Sequence, residues 1–122
     1  MFRFEKLAVW QKAIEHAGHV YSVTRSFPSD ERFGLTSQMR RAAVSVSSNI
    51  AEGCSRASDV DYARFLEIAY GSLMEVVSQA NIAKAQGLMQ KAEFDQLYQE
   101  AEELARMLSG LRSTVIERTK AR

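Results

Sequence analysis

The side chains in this sequence that could do chemistry are few, and His16 and His19 come first. Three residues apart, they share one face of a helix and offer two imidazoles to a metal ion. The di-metal pattern of helical bundles, however, needs a Glu-x-x-His motif on two helices and further inward carboxylates. The residue three before His16 is Ala13, the one three before His19 is His16, and no second motif exists. The expectation is therefore no metal and no cofactor. Cys54 is the single cysteine and has no histidine close in sequence, so it reads as a small, half-buried packing residue near a helix end. No glycine-rich phosphate loop follows a strand, because no strand is found. Trp10 and several tyrosines fall on helical spacing, which suits core packing better than base stacking. Together these features predict a protein that is not an enzyme and has no catalytic residues.

One segment stands out: Arg40-Arg41-Ala42-Ala43-Val44-Ser45-Val46-Ser47-Ser48-Asn49-Ile50-Ala51-Glu52-Gly53. It places two guanidiniums, a Ser/Asn set and a carboxylate on a helix of poor intrinsic propensity, since Ser and Asn compete locally for backbone hydrogen bonds. Structurally, Arg40 or Arg41 would pair with a carboxylate such as Glu52, Glu67 or Glu75 across helices or subunits, while Asn49 satisfies buried backbone. Functionally, the same guanidiniums match the geometry of phosphate. Both readings stay open at this level.

The elements that must position these groups are helices. Only one Pro and six Gly are present in 122 residues, too little turn material for a strand-rich fold. Hydrophobic content of 46% with 25% charged residues is ordinary for one globular domain, and the length suits a single core spanning 1–122. Apolar residues recur at three- and four-residue steps in four segments, predicting helices over about 5–26, 30–56, 59–86 and 91–118. The expected buried stripes are Leu7, Trp10, Ile14, Ala17 and Tyr21, with Val20 and Val23 beside its end; Leu35, Met39, Ala42, Val46, Ile50 or Asn49, and Gly53; Tyr62, Phe65, Ala69, Leu73, Val76, Ala80 and Ala83; and Phe94, Leu97, Ala101, Leu104, Leu108, Leu111 and Val115. Pro28 ends the first helix. Ser29 and Ser58 read as caps of the second and third, and Gly87 as the left-handed close of the third. The predicted fold class is all-α, an antiparallel up-down-up-down four-helix bundle.

The third helix is too apolar for a lone bundle. Beside its core stripe it carries Leu66, Ile68, Tyr70, Met74, Val77 and Ile82. A helix apolar on almost every side must be covered on almost every side. The second helix offers a surface of small residues, including Ala43 and Ser47, that permits close approach. The expectation is a homo-oligomer with Leu66, Tyr70, Met74, Val77, Ala43 and Ser47 in its interface.

Net charge is +1, which excludes a global field for nucleic acid, yet the charges are segregated. Residues 1–57 hold eight basic against five acidic groups, 58–105 three against nine, and 106–122 five against one. Such runs are ordinarily solvated helix faces or tails. No apolar run reaches the length of a membrane span, the start of the chain does not read as a signal peptide, and a lone cysteine fits a reducing compartment. A cytoplasmic location without membrane contact is expected.

Several stretches carry a likeness to a known family. Phe4-Glu5-Lys6-Leu7 with Val9-Trp10-Gln11, the run Glu31-Arg32-Phe33-Gly34-Leu35-Thr36-Ser37-Gln38-Met39-Arg40-Arg41-Ala42-Ala43, Ser48-Asn49-Ile50-Ala51-Glu52-Gly53, and Ala69-Tyr70-Gly71-Ser72-Leu73-Met74-Glu75 occur in order along nearly the whole chain. They resemble the four-helix-bundle family of 23S rRNA intervening-sequence proteins, which is related to accessory proteins of diversity-generating retroelements. Where the family commonly has a proline in the second helix, this chain has Ser47, which argues against a kink there. The resemblance implies a bundle assembling as a ring-like homopentamer, and for the related branch, binding of nucleic acid and a reverse transcriptase.

Two functions follow as expectations. The first is a nucleic-acid-associated scaffold using Arg40, Arg41, Arg56, Arg64, Arg112, Arg118, Lys120 and Arg122, with RNA or DNA as partner. The second is a protein–protein adaptor ring that binds one protein partner and no nucleic acid, favoured by near-neutral net charge and the acidic stretch Glu100-Ala101-Glu102-Glu103.

Overall fold

The computed structural model describes residues 1–121. The described residues form four α-helices, α1 (Ala8–Thr24), α2 (Leu35–Cys54), α3 (Asp59–Ala85) and α4 (Lys91–Lys120), with short 3-10 turns at Arg3–Lys6 and Ser29–Glu31. Among the described residues there is no strand. The fold class is all-α, a bundle of four helices.

Local chemistry explains most of the boundaries. Pro28 cannot continue α1, and Ser29–Glu31 then forms one tight turn instead of the first turn of α2. The expected start of the second helix near residue 30 is thus too early. Its cap is Gly34, and the cap interaction comes from Glu31, whose Oε1 accepts from the Leu35 amide at 3.2 Å. Ser58 caps α3 as expected, its Oγ accepting from the Asp61 amide at 3.2 Å. Gly87, with φ of 74°, closes α3 in the left-handed region; Leu88 N donates to Ala83 O and Gly87 N to Lys84 O, the paired bonds that satisfy the last carbonyls of a helix. α2 runs unbroken through Ser47, whose Oγ donates to Val44 O at 2.9 Å.

Inter-helix pairs set the register. Lys12 meets Glu103 and His16 meets Glu100 between α1 and α4, so partners fall along one helix as they rise along the other. Asp59 with Arg118 and Glu67 with Arg112 repeat this between α3 and α4. α2 approaches α3 closely at Gly53, where an added Cβ would sit 2.7 Å from Phe65 Cβ.

The core forms two apolar clusters. One gathers Val9, Ala13, Val46, Ile50, Leu66, Leu73, Leu104 and Leu108, and the other Val20, Met39, Ala43, Val76, Ala80, Phe94 and Leu97. The buried stripes of α2, α3 and α4 follow the sequence pattern, except that Leu35 and Leu111 are only partly buried. α1 does not. It turns Val9, Ala13, His16, Ala17, Val20 and Val23 inward and leaves Ile14 and Tyr21 exposed. This helix carries two neighbouring apolar stripes. The inward one is selected by what faces it, including Glu100, which meets the buried His16 at the junction of the two clusters.

Candidate nucleic-acid interface

Eight basic residues are candidates from the sequence, and the structure divides them. Arg56 pairs with Glu52 one turn before it, Arg64 with Asp61 at 3.6 Å, and Lys120 with Glu117 at 3.3 Å. Arg112 reaches Glu67 and Arg118 reaches Asp59, both at 3.3 Å between α3 and α4. Exposed pairs like these contribute roughly 0–1 kcal/mol each to stability. Their larger consequence is electrostatic, because a phosphate approaching any of the five also meets the partner carboxylate. Arg122 lies outside the described residues.

Arg40 and Arg41 differ. Neither makes an ion pair among the described residues, and together with Arg32 they line an open cleft of about 680 Å³ with Tyr21, Phe33, Thr36 and Ser37. Arg40 is held in place: its Nε donates to Thr24 Oγ1 at 2.9 Å, and its guanidinium lies 4.7 Å from the centre of the Tyr21 ring. Arg32 sits 5.3 Å from the centre of the Phe33 ring, and Phe33 is 88% exposed. The cleft therefore presents three guanidiniums with two accessible aromatic rings beside them. Cation–ring contacts of this kind orient a guanidinium without neutralising it.

Within the single chain, among the described residues, neither Arg40 nor Arg41 pairs with Glu52, Glu67 or Glu75. Glu52 and Glu67 are taken by Arg56 and Arg112, and Glu75 shares a neighbouring hollow with Arg41 without an ion pair. The polar set of α2 is used structurally. Asn49 Nδ2 donates to Ser45 O at 2.8 Å, and Ser45 Oγ meets Ser72 Oγ of α3 at 2.8 Å. Sequence reasoning missed Arg32, Phe33 and Tyr21. The expected second helix spans Arg32 and Phe33, and the expected α1 stripe places Tyr21 in the core. The signal available was that adjacent Arg32 and Phe33 follow a proline break, where side chains project freely.

The expected interface residues divide too. Leu66 and Ala43 are fully buried in the core clusters of the single chain and have no surface left for a second copy, and Ser47 is nearly buried. Tyr70 and Met74 are exposed, as are Ile68 and Ile82 on the same helix, and Val77 is partly so. Cys54 is buried, and burial together with that neighbouring thiol pushes the Tyr62 phenol up to about 12. Among the described residues no helix is long and apolar enough to cross a membrane.

With this geometry in hand, known proteins offer two points of comparison. The family described as 23S rRNA-intervening sequence protein matches residues 5–110. A solved structure from Bacteroides thetaiotaomicron, described as a protein with unknown function from the S23 ribosomal protein family, superposes with a TM-score of 0.80. It is 18% identical and covers 86% of this chain and 98% of its own, so the likeness is one of fold. No curated protein matches.

Proposed function

The chain belongs to the family of 23S rRNA-intervening sequence proteins, and from that premise we propose that it is a non-enzymatic, oligomeric helical scaffold that holds single-stranded nucleic acid in the cleft of Arg32, Arg40 and Arg41. The observation that carries this reading is that those three guanidiniums, beside Phe33 and Tyr21, make no ion pair among the described residues, while five other candidate cations are matched by carboxylates. Single-stranded binding combines a basic track with rings on which bases stack, and this cleft supplies both groups. Cys54 is buried beside Tyr62 and away from both histidines in sequence, which supports a role without catalysis.

The subunit proposed is an antiparallel up-down-up-down bundle, supported by the opposed registers of α1 with α4 and of α3 with α4. The assembly proposed is the homopentameric ring implied by the family resemblance, with Tyr70, Met74 and Val77 covered between copies. Repeating the cleft around a ring multiplies a modest charge per chain into a continuous basic surface.

Fluorescence anisotropy with labelled RNA and DNA oligonucleotides tests the proposal. Three phosphate contacts per chain predict that log affinity falls with log salt at a slope of about −2. The exposed side chains of Ile14, Ile68 and Ile82 favour the second reading, an adaptor ring for a protein partner. Purification with and without nuclease separates the two: co-purifying nucleic acid supports the scaffold, and one protein partner retained after nuclease supports the adaptor.

A further inference from the structure

Where the two core clusters meet, α1 and α4 bring together four groups whose chemistry the nucleic-acid reading does not use. Glu15 and His19 lie one turn apart on the same side of α1, and Glu100 faces them from α4. One ligand atom from each lies within 4.8 Å of the other two. Behind them, His16 is 1% exposed, and its Nδ1 is 3.1 Å from Glu100 Oε1. A carboxylate only accepts, so the imidazole proton sits on Nδ1. Nε2 of His16 has no hydrogen-bond partner, in keeping with that tautomer. The second oxygen, Oε2 of Glu100, is turned to Nδ1 of His19, in contact but without hydrogen-bond geometry, so that nitrogen is buried with no hydrogen-bond partner.

We propose that Glu15, His19 and Glu100 form a binding site for a divalent transition-metal ion such as Zn²⁺, with His16 as the positioning residue that fixes Glu100. One imidazole and two carboxylates form a nitrogen–oxygen donor set suited to first-row metals, and their two negative charges balance the ion. A buried histidine donating to a ligating carboxylate is how metal sites orient their ligands. Ligand atoms around a tetrahedral ion at about 2.0–2.1 Å are separated by about 3.3 Å. Glu15 is exposed and makes no ion pair among the described residues, so a change of its rotamer brings its carboxylate in, while Glu100 Oε2 and His19 Nδ1, nearer to each other than that spacing, must part to admit the ion. Three protein ligands leave a further position for water. The ligand set is invisible in the sequence because its third member comes from a distant helix, whereas the histidine spacing on α1 points to the wrong pair.

The test uses the untagged, metal-free full chain, titrated with Zn²⁺ by calorimetry and with Co²⁺ by visible absorption. One ion per chain is expected. His19→Ala and Glu100→Gln should each weaken binding at least about tenfold, and His16→Phe about 10–100-fold, as loss of a ligand-orienting partner does. Circular dichroism checks that His16→Phe still folds; if it does not, His19→Ala, at a partly exposed position, decides. Absence of binding at millimolar Zn²⁺, or binding unchanged in His19→Ala, overturns the proposal.

Discussion

Arg40 of α2 donates from Nε to Oγ1 of Thr24 at the last turn of α1, at 2.9 Å, and that hydroxyl in turn donates to Val20 O at 2.7 Å. Thr24 is buried, so the bond ties the guanidinium to rigid backbone and sets it over the Tyr21 ring. What remains unpaired is the forked end, held where a phosphate would meet it. Arg40→Ala is therefore expected to weaken oligonucleotide binding about tenfold, a loss of about 1.4 kcal/mol. Thr24→Val keeps the shape and removes the acceptor, so it should produce a smaller loss of affinity and about 1 kcal/mol lower stability. Anisotropy at low salt and urea unfolding read the two effects. Equal binding by wild type and Arg40→Ala would exclude the cleft.

Self-association has its own check at Met74, exposed on the single chain and next to Tyr70 across one helical turn. Met74→Lys adds a charge to a surface that is open in one subunit, so folding should survive while assembly fails. Light scattering should report a fall from the oligomer mass to that of one chain, with helical content unchanged. A wild-type chain of monomer mass would remove the assembly.

Gly53 marks the closest approach of α2 and α3. An added Cβ would meet Phe65 Cβ at 2.7 Å and Tyr62 Cδ1 at 3.2 Å, and Phe65 Cβ is fixed to the α3 backbone, so it cannot swing away. Gly53→Ala should destabilise the fold by about 1–3 kcal/mol despite its better helix propensity. Denaturant midpoints measure it, and a stabilised variant would contradict the close packing.

Tyr62 predicts a pH dependence. Burial first, and then Cys54, raise its folded-state value to about 12 from the ordinary 10.0. Below pH 10 the phenol is neutral in both states and its contribution is intact. As pH rises from 10 toward 12 the unfolded chain ionises first, so stability falls through that window by about 2–3 kcal/mol. Ultraviolet titration should show one of the four tyrosines ionising late. Tyr62→Phe should flatten the alkaline loss.

Much of the fold is legible in the residues themselves. The stripes of α2, α3 and α4, the stop at Pro28, the cap at Ser58 and the left-handed close at Gly87 are all local, set by backbone preferences and by a period of about 3.6 residues. The stripe on α1 departs from the expected one because Trp10, Ile14 and Tyr21 are as apolar as the buried face, of which the pattern marks Ala17, Val20 and Val23 but not Val9 and Ala13. Pattern alone cannot rank two adjacent apolar stripes. α2 starts later than its sequence suggests because Asp30 and Glu31 look like a first helical turn, whereas Glu31 serves as an external cap for Leu35.

From sequence alone came the class of the fold, the number of helices and the presence of unusually basic and unusually apolar segments, since each depends on neighbours within a turn or two along the chain. The tertiary structure decided which charges remain unpaired. Arg118 is matched by Asp59 and Arg112 by Glu67, while Arg32, Arg40 and Arg41 share a cleft with Tyr21 and Phe33. It also turned Leu66 and Ala43 inward and set Glu100 against His16 and His19. Charge pairing and burial are properties of distance in space, which the packing of whole helices determines and residue spacing along the chain does not.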